Sequence, residues 1–201
     1  MAHDTEFHIH HDAPEVVGRR ERLGVRLLIV ADGAFLFGMV FTYFYLRNLN
    51  TNGGWLPHGV KHFSAGSGWM VAIPFVVSAI SHRIGLVRRE MARLTSLISL
   101  LALLVGLYLQ WHQMAHMPFI VHDDAGVSSF NGAYASCWMI FAGAGIFHYL
   151  LGGFIALGLV LRHGRTHVDP TLEIWRQRTA GSWFTWIAIA GVISALVTSI
   201  V

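Results

Sequence analysis

The sequence predicts an all-α fold: a polytopic bundle of five transmembrane helices, with the N-terminus inside the cell and the C-terminus outside. Three observations carry this expectation. Of 201 residues, 54% are hydrophobic and 12% charged, whereas a soluble domain carries about a quarter charged residues. The missing charge is not thinned evenly but absent from five apolar runs. Each run reaches the roughly 20 residues that a helix needs to cross a bilayer. The basic residues between the runs fall almost wholly on one side of such a bundle, which sets its orientation.

The chain opens on MAHDTEFHIHHDAPEVVGRRERLG, polar and mixed in charge. This stretch lacks the basic start, apolar middle and small-residue cleavage site of a signal peptide, so the first helix itself is expected to direct insertion. Residues 1–23 read as a polar, His-rich cytoplasmic tail, and 24–201 as one five-helix transmembrane domain without internal repeats. The first helix is expected over about 25–46, bracketed by Arg26 and Arg47, and the second over about 67–86. The third is expected over about 94–116, and the fourth over about 133–161, long enough to tilt or project beyond the hydrocarbon. The fifth spans about 183–201. None of the runs has the alternation over about ten residues that marks a barrel strand. Pro74 removes a backbone donor inside the second helix and should kink it. Ala34 with Gly38, and Gly152 with Ala156, place small residues four apart, a spacing that lets helices approach closely.

Topology follows from the positions of the 14 Lys and Arg residues. Arg19, Arg20, Arg22 and Arg26 precede or open the first helix. Arg83, Arg88, Arg89 and Arg93 lie about the second-to-third loop. Arg162, Arg165, Arg176 and Arg178 lie about the fourth-to-fifth. With five spans these segments share a side, leaving only Arg47 and Lys61 on the other. Basic residues concentrate on the cytoplasmic side, so the crowded side is inside. Trp175 and Trp183 then fall near the inner edge. Tyr43, Tyr45, Trp55, Trp69, Trp111 and Tyr134 fall near the outer edge, as an interfacial aromatic belt would.

The net charge of +3 and sequence pI near 9.4 do not point to nucleic acid, because the basic residues sit in short loops where they meet an anionic membrane surface. Cys137 is the single cysteine, so an intrachain disulfide and a cysteine-based zinc site are excluded. No Gly-rich phosphate loop, nucleophile elbow or paired catalytic acids occur, and no catalytic residue is assigned.

Polar groups inside the apolar runs are the informative ones. Asp32 is the one acid well inside such a run, where an ionised carboxylate costs about 2.5–3.5 kcal/mol on insertion scales. It is either a proton site or a structural hydrogen-bonding group facing a partner, unless the inner surface near Arg26 lets water reach it. His148, deep in the fourth helix, is either a neutral histidine bonded to a neighbouring helix or a haem or metal ligand, and a ligand would need partners at matching depth. Gln110 reads as a hydrogen-bonding link between helices. His3, His8, His10 and His11 with Asp4 and Asp12 form a tail that either binds a transition metal or is simply solvated. His112, His116 and His122, with Asp123 and Asp124, are weak candidates for an external zinc or copper site against the reading of a polar interfacial loop.

Four segments resemble subunit III of the haem-copper respiratory oxidases, the cytochrome c oxidase subunit 3 family, in a divergent five-helix bacterial form. GVRLLIVADGAFLFGMVFTYFYLR resembles that family's acid-bearing first segment, with Asp32 at the acid. LLVGLYLQWHQM carries Gly106, Tyr108 and Gln110 in register with the family's Gly, aromatic and Gln. MPFIVHDDAGVSSFNGAYAS resembles the loop that follows, and FAGAGIFHYLLGGFIALGLVLR the fourth-helix segment, with Gly143, His148, Gly152 and Arg162 in register. Departures are also present. Gln113 stands where the family has an acid, Gly145 where it has the first histidine of a pair, and SWFTWIAIAG lacks the usual last-helix string.

The resemblance implies a non-redox subunit that binds no haem or copper itself. Those groups would sit in a partner, the catalytic subunit I, accompanied by subunit II. It further implies a role in stabilising that partner and supporting proton uptake in aerobic electron transport, with cytochrome c or quinol as donor. It implies bound phospholipid, with Arg26, Arg162 and Trp183 as contact candidates, and a bacterial-type inner (plasma) membrane. Two alternatives stay open: an accessory subunit of a nitric oxide reductase, and a small membrane cytochrome or metalloprotein using His148 with His82 or His112. A small transporter has little support, because there is one buried acid and no pair of broken helices.

Overall fold

The computed structural model describes residues 12–57, 60–117, 120–122, 128–130, 132–163 and 169–200. It contains five long helices: α1 (Pro14–Leu49), α2 (Ala65–Val87), α3 (Ala92–Ala115), α4 (Ala133–Arg162) and α5 (Pro170–Thr198). All five are long and apolar enough to cross a membrane. A short antiparallel ribbon, β1 (Ile120–His122) and β2 (Ser128–Phe130), lies between α3 and α4, with Val121 opposite Ser129.

Two helices begin earlier than their apolar runs. Helix α1 has Pro14 in its first turn with Glu15 beside it, a residue pair that suits a helix N-terminus. Its 36 residues span about 54 Å at 1.5 Å per residue, well beyond the ~30 Å hydrocarbon layer. Helix α5 begins at Pro170, where the Asp169 carboxylate accepts from the backbone N–H of Thr171 at 2.7 Å and of Leu172 at 3.1 Å. That cap satisfies donors the helix leaves open. The two polar extensions dock on each other. Arg176 donates to Glu21 at 3.2 Å, the Arg22 guanidinium lies 6.0 Å from the Trp175 ring centroid, and Gly18 leaves the space that Trp175 fills.

The helices follow one another around the bundle in the order α1, α5, α2, α3, α4, with α4 returning to α1 through a lighter contact. The α2–α3 seam is built from small polar residues. Ser81 donates to the Thr95 carbonyl at 3.0 Å, Ser99 donates to the Ser78 carbonyl at 3.0 Å, and Gly85 makes room for Thr95. In lipid such seams replace the hydrophobic force that drives packing in water. Farther along, Gly106 of α3 admits the Tyr149 ring of α4, which stacks on Phe75 of α2 at 3.8 Å and 8°. The Tyr149 hydroxyl donates to the Val71 carbonyl, beside the turn where Pro74 lacks a donor. Neighbouring side chains commonly satisfy backbone near an intramembrane proline.

The aromatic belt divides into two groups. Tyr45, Trp69 and Trp111 are exposed, as belt residues should be, but Tyr43, Trp55 and Tyr134 are buried together. Tyr43 and Trp55 meet edge-on at 4.8 Å, and the Tyr43 hydroxyl donates to the Ile200 carbonyl at 2.7 Å. These three pack on one another instead of facing lipid headgroups. The outer face carries Phe37, Phe41, Val87, Leu101 and Phe154 in the open, an apolar surface far larger than a water-soluble monomer exposes.

Candidate functional site

Midway along the bundle, three side chains from three helices converge. On α1, Ile29, Asp32, Leu36, Met39 and Tyr43 recur at three- and four-residue spacing and form its inward stripe, with Leu36, Met39 and Tyr43 buried. That period turns Asp32 to the interior while Leu28 and Phe35 stay exposed. On α4, Phe141, His148, Gly152, Ala156 and Leu159 make the corresponding buried stripe. On α5, Trp186 lies between the buried Trp183 and Ile187 and packs against Gly33 of α1.

The His148 Nε2 lies 3.1 Å from Asp32 Oδ1 and 3.0 Å from Oδ2. Trp186 Nε1–H donates to Oδ2 at 2.6 Å. The His148 and Asp32 side chains are 6% and 11% exposed. Phe75 and Trp183 stand edge-on to the imidazole at 6.3 and 5.9 Å. Indole is a donor only, so the Trp186 bond needs an acceptor oxygen on Asp32 whatever the state of the histidine. Between Asp32 and His148 one proton suffices: either Nε2–H donates to the carboxylate, or a protonated carboxyl donates to Nε2. The site can therefore hold and move a proton between carboxylate and imidazole without losing its link to α5.

The other sequence candidates separate. Gln110 is buried and lines a central cavity with His148, but among the described residues its amide has no hydrogen-bond partner. The link expected of Gln110 is made one turn later by Gln113, whose Nε2 donates to the Ser67 carbonyl at 2.6 Å and ties α3 to α2. Arg162 and Trp183 line one cleft of about 460 Å³ between α1, α4 and α5, together with Arg176 and Thr179. Arg26 is exposed on α1 and does not line that cleft. His82 places Nε2 2.9 Å from the Gln177 carbonyl and packs on Phe184. His112 and His116 are exposed and stacked at 4.2 Å, and His116 Nδ1 lies 2.9 Å from the His112 carbonyl. The side chain of His122, the tail histidines, and Asp123 and Asp124 lie outside the described residues. Among the described residues no three His, Cys, Asp or Glu side chains converge as a metal site would require.

Trp186 is the member that inspection of the sequence missed. Its signal was present: an indole deep in an apolar helix needs a partner for its N–H, and Asp32 was the buried acceptor in want of donors. A scan of protein-family models returned no match to this chain, and neither did a search of curated proteins.

Proposed function

We propose that this chain is a non-redox subunit III of a haem-copper terminal oxidase. In that role it stabilises the catalytic subunit and supports its proton uptake in a bacterial-type plasma membrane, with the N-terminus inside. The observation that carries the proposal is the Asp32–His148 bond. The acid comes from the first-helix motif of the resemblance and the histidine from the fourth-helix motif, 116 residues away. The two residues that best support the resemblance meet as one buried, proton-holding pair. The cleft at Arg162 and Arg176 has the apolar walls and basic rim suited to a phospholipid. The haem and copper of the reaction belong to the partner, and this chain's residues contribute a framework beside it.

Affinity purification of the tagged chain from its native membrane in mild detergent tests the proposal. The expected result is a stoichiometric, larger haem-bearing partner, whose Soret absorption stays with the partner when the two are separated. Recovery of the chain alone with tightly held haem would overturn it and favour a membrane cytochrome. A partner that reduces nitric oxide instead of oxygen would favour the accessory-subunit alternative.

A further inference from the structure

A cavity of about 40 Å³ occupies the centre of the bundle, with lining residues from all five helices. One end of its lining is His148; the other is Gly68, Gln113 and Thr198. Gly68 lies in the first turn of α2, Gln113 in the last turn of α3, and Thr198 at the end of α5. The cavity thus begins at the buried Asp32–His148 pair and reaches the bundle end where α2 starts and α3 and α5 finish. On the other side of the pair, Leu103, Ala156, Leu159, Trp183 and Ile187 are buried against one another. This layer stands between the pair and the cleft at the arginine-rich end, whose lining includes Leu159 and Trp183.

Volume and lining together decide what fills this space. At about 10–15 Å³ per water there is room for about three or four molecules. An apolar cavity of that size would stay dry, but this lining offers partners. Gln110 is 4% exposed and, among the described residues, its amide makes no hydrogen bond. Leaving such an amide dry and unpaired costs about 1–3 kcal/mol. His148 also lines the cavity. Its Nε2 is engaged by Asp32, and among the described residues its Nδ1 has no partner. The hydroxyls of Ser194 and Thr198 donate to the Ala190 and Ser194 carbonyls, both at 2.8 Å, and so keep lone pairs to accept from water.

We propose that this cavity is a water-filled blind channel, through which the Asp32–His148 pair exchanges protons with the face that carries Lys61 and not with the face that carries Glu90. The ligand is water, held by Gln110, His148 Nδ1, Ser194 and Thr198. The proposal does not depend on the oxidase assignment, since it follows from the bundle alone.

Silver-ion accessibility tests it in the full chain in its native membrane, using vesicles of both orientations. Ag⁺ enters narrow aqueous spaces and blocks thiols there, whereas a thiol facing lipid is spared. Cys137→Ala removes the chain's one cysteine. Ser194→Cys and Ala195→Cys then report on the cavity, which both residues line. Lys61→Cys and Glu90→Cys mark the two faces, and Leu196→Cys, exposed on α5, serves as the lipid-facing control. The expected result is loss of the free thiol at both cavity positions, with the sidedness of Lys61→Cys, while Leu196→Cys keeps its thiol. The second reporter covers the case in which one variant fails to insert. Sparing of both cavity thiols from both faces would mean a dry cavity, and block with the sidedness of Glu90→Cys would mean access from the opposite side. Either result overturns the proposal.

Discussion

Asp32→Leu should destabilise the bundle far more than Asp32→Asn, and the difference follows from the partners of this one carboxylate. Leucine leaves Trp186 Nε1–H and His148 Nε2 facing each other across an apolar gap, after bonds of 2.6 and 3.0 Å are lost. Stranding a buried polar group costs about 1–3 kcal/mol. Interhelical hydrogen bonds measured within membranes average only about 0.6 kcal/mol and reach about 1.7. His148 is buried and Trp186 partly so, and with two groups stranded the expected loss is about 2–4 kcal/mol. Asparagine keeps an oxygen to accept from Trp186 and an amide N–H to donate to His148, and gives up only charge assistance, about 1 kcal/mol. In Asp32→Leu/His148→Leu one stranded group is removed with its partner, so the double variant should be less destabilised than the sum of the two singles. Thermal unfolding in detergent, followed by the monodisperse fraction on size exclusion, compares these proteins with wild type and with His148→Leu. The order expected is wild type, then Asp32→Asn, then Asp32→Leu, with the double variant losing less than the two single losses added. If Asp32→Leu and Asp32→Asn unfold together, the carboxylate does not bridge α1 to α4 and α5, and the reasoning fails.

Gly106→Ala should destabilise the bundle by about 1–3 kcal/mol through overpacking, because the added Cβ meets the Tyr149 ring. Gly143→Ala, which has open space at the same atom, should leave the melting curve unchanged. For topology, cysteines at Glu90 and Glu173 should react with an impermeant maleimide only from the cytoplasmic side, and one at His62 only from the other, as the division of basic residues requires. Outside labelling at position 90 would overturn the expected orientation.

The five spans were legible because hydropathy reports the solvent, and lipid demands long apolar runs. Where the helices begin was less legible. Residues 14–23 are polar, yet they are helical, because Gly18 and Arg22 pack on Trp175 and Glu21 pairs with Arg176. Those contacts are long-range, and hydropathy along the chain cannot see them. The start of α5 did carry a local signal, Asp169 followed by Pro170 with the acidic Glu173 in the first turn, which hydropathy alone passes over. Asp32 and His148 were each conspicuous as polar groups in apolar runs. That they form a pair was not, since nothing along the chain states which helix faces α1. Tyr43, Trp55 and Tyr134 mislead in the same way: an aromatic near a helix end suits headgroup and buried cluster equally, and only packing decides.

The attachment of α1 explains why one residue serves both architecture and chemistry. Helix α1 is the least buried of the five, and in lipid no hydrophobic force draws it inward. It is held at three levels: Glu21 to Arg176 near one end, Tyr43 to the Ile200 carbonyl near the other, and Asp32 to His148 and Trp186 between them. The first is half in water, where an ion pair contributes about 0–1 kcal/mol, so the buried middle level carries the greater share. A carboxylate placed there for attachment is also a proton site. The Trp186 bond lands on an oxygen that remains an acceptor in either protonation state. The proton can therefore pass between Asp32 and His148 while α1 stays docked on α5, which lets a structural bridge titrate without opening the bundle.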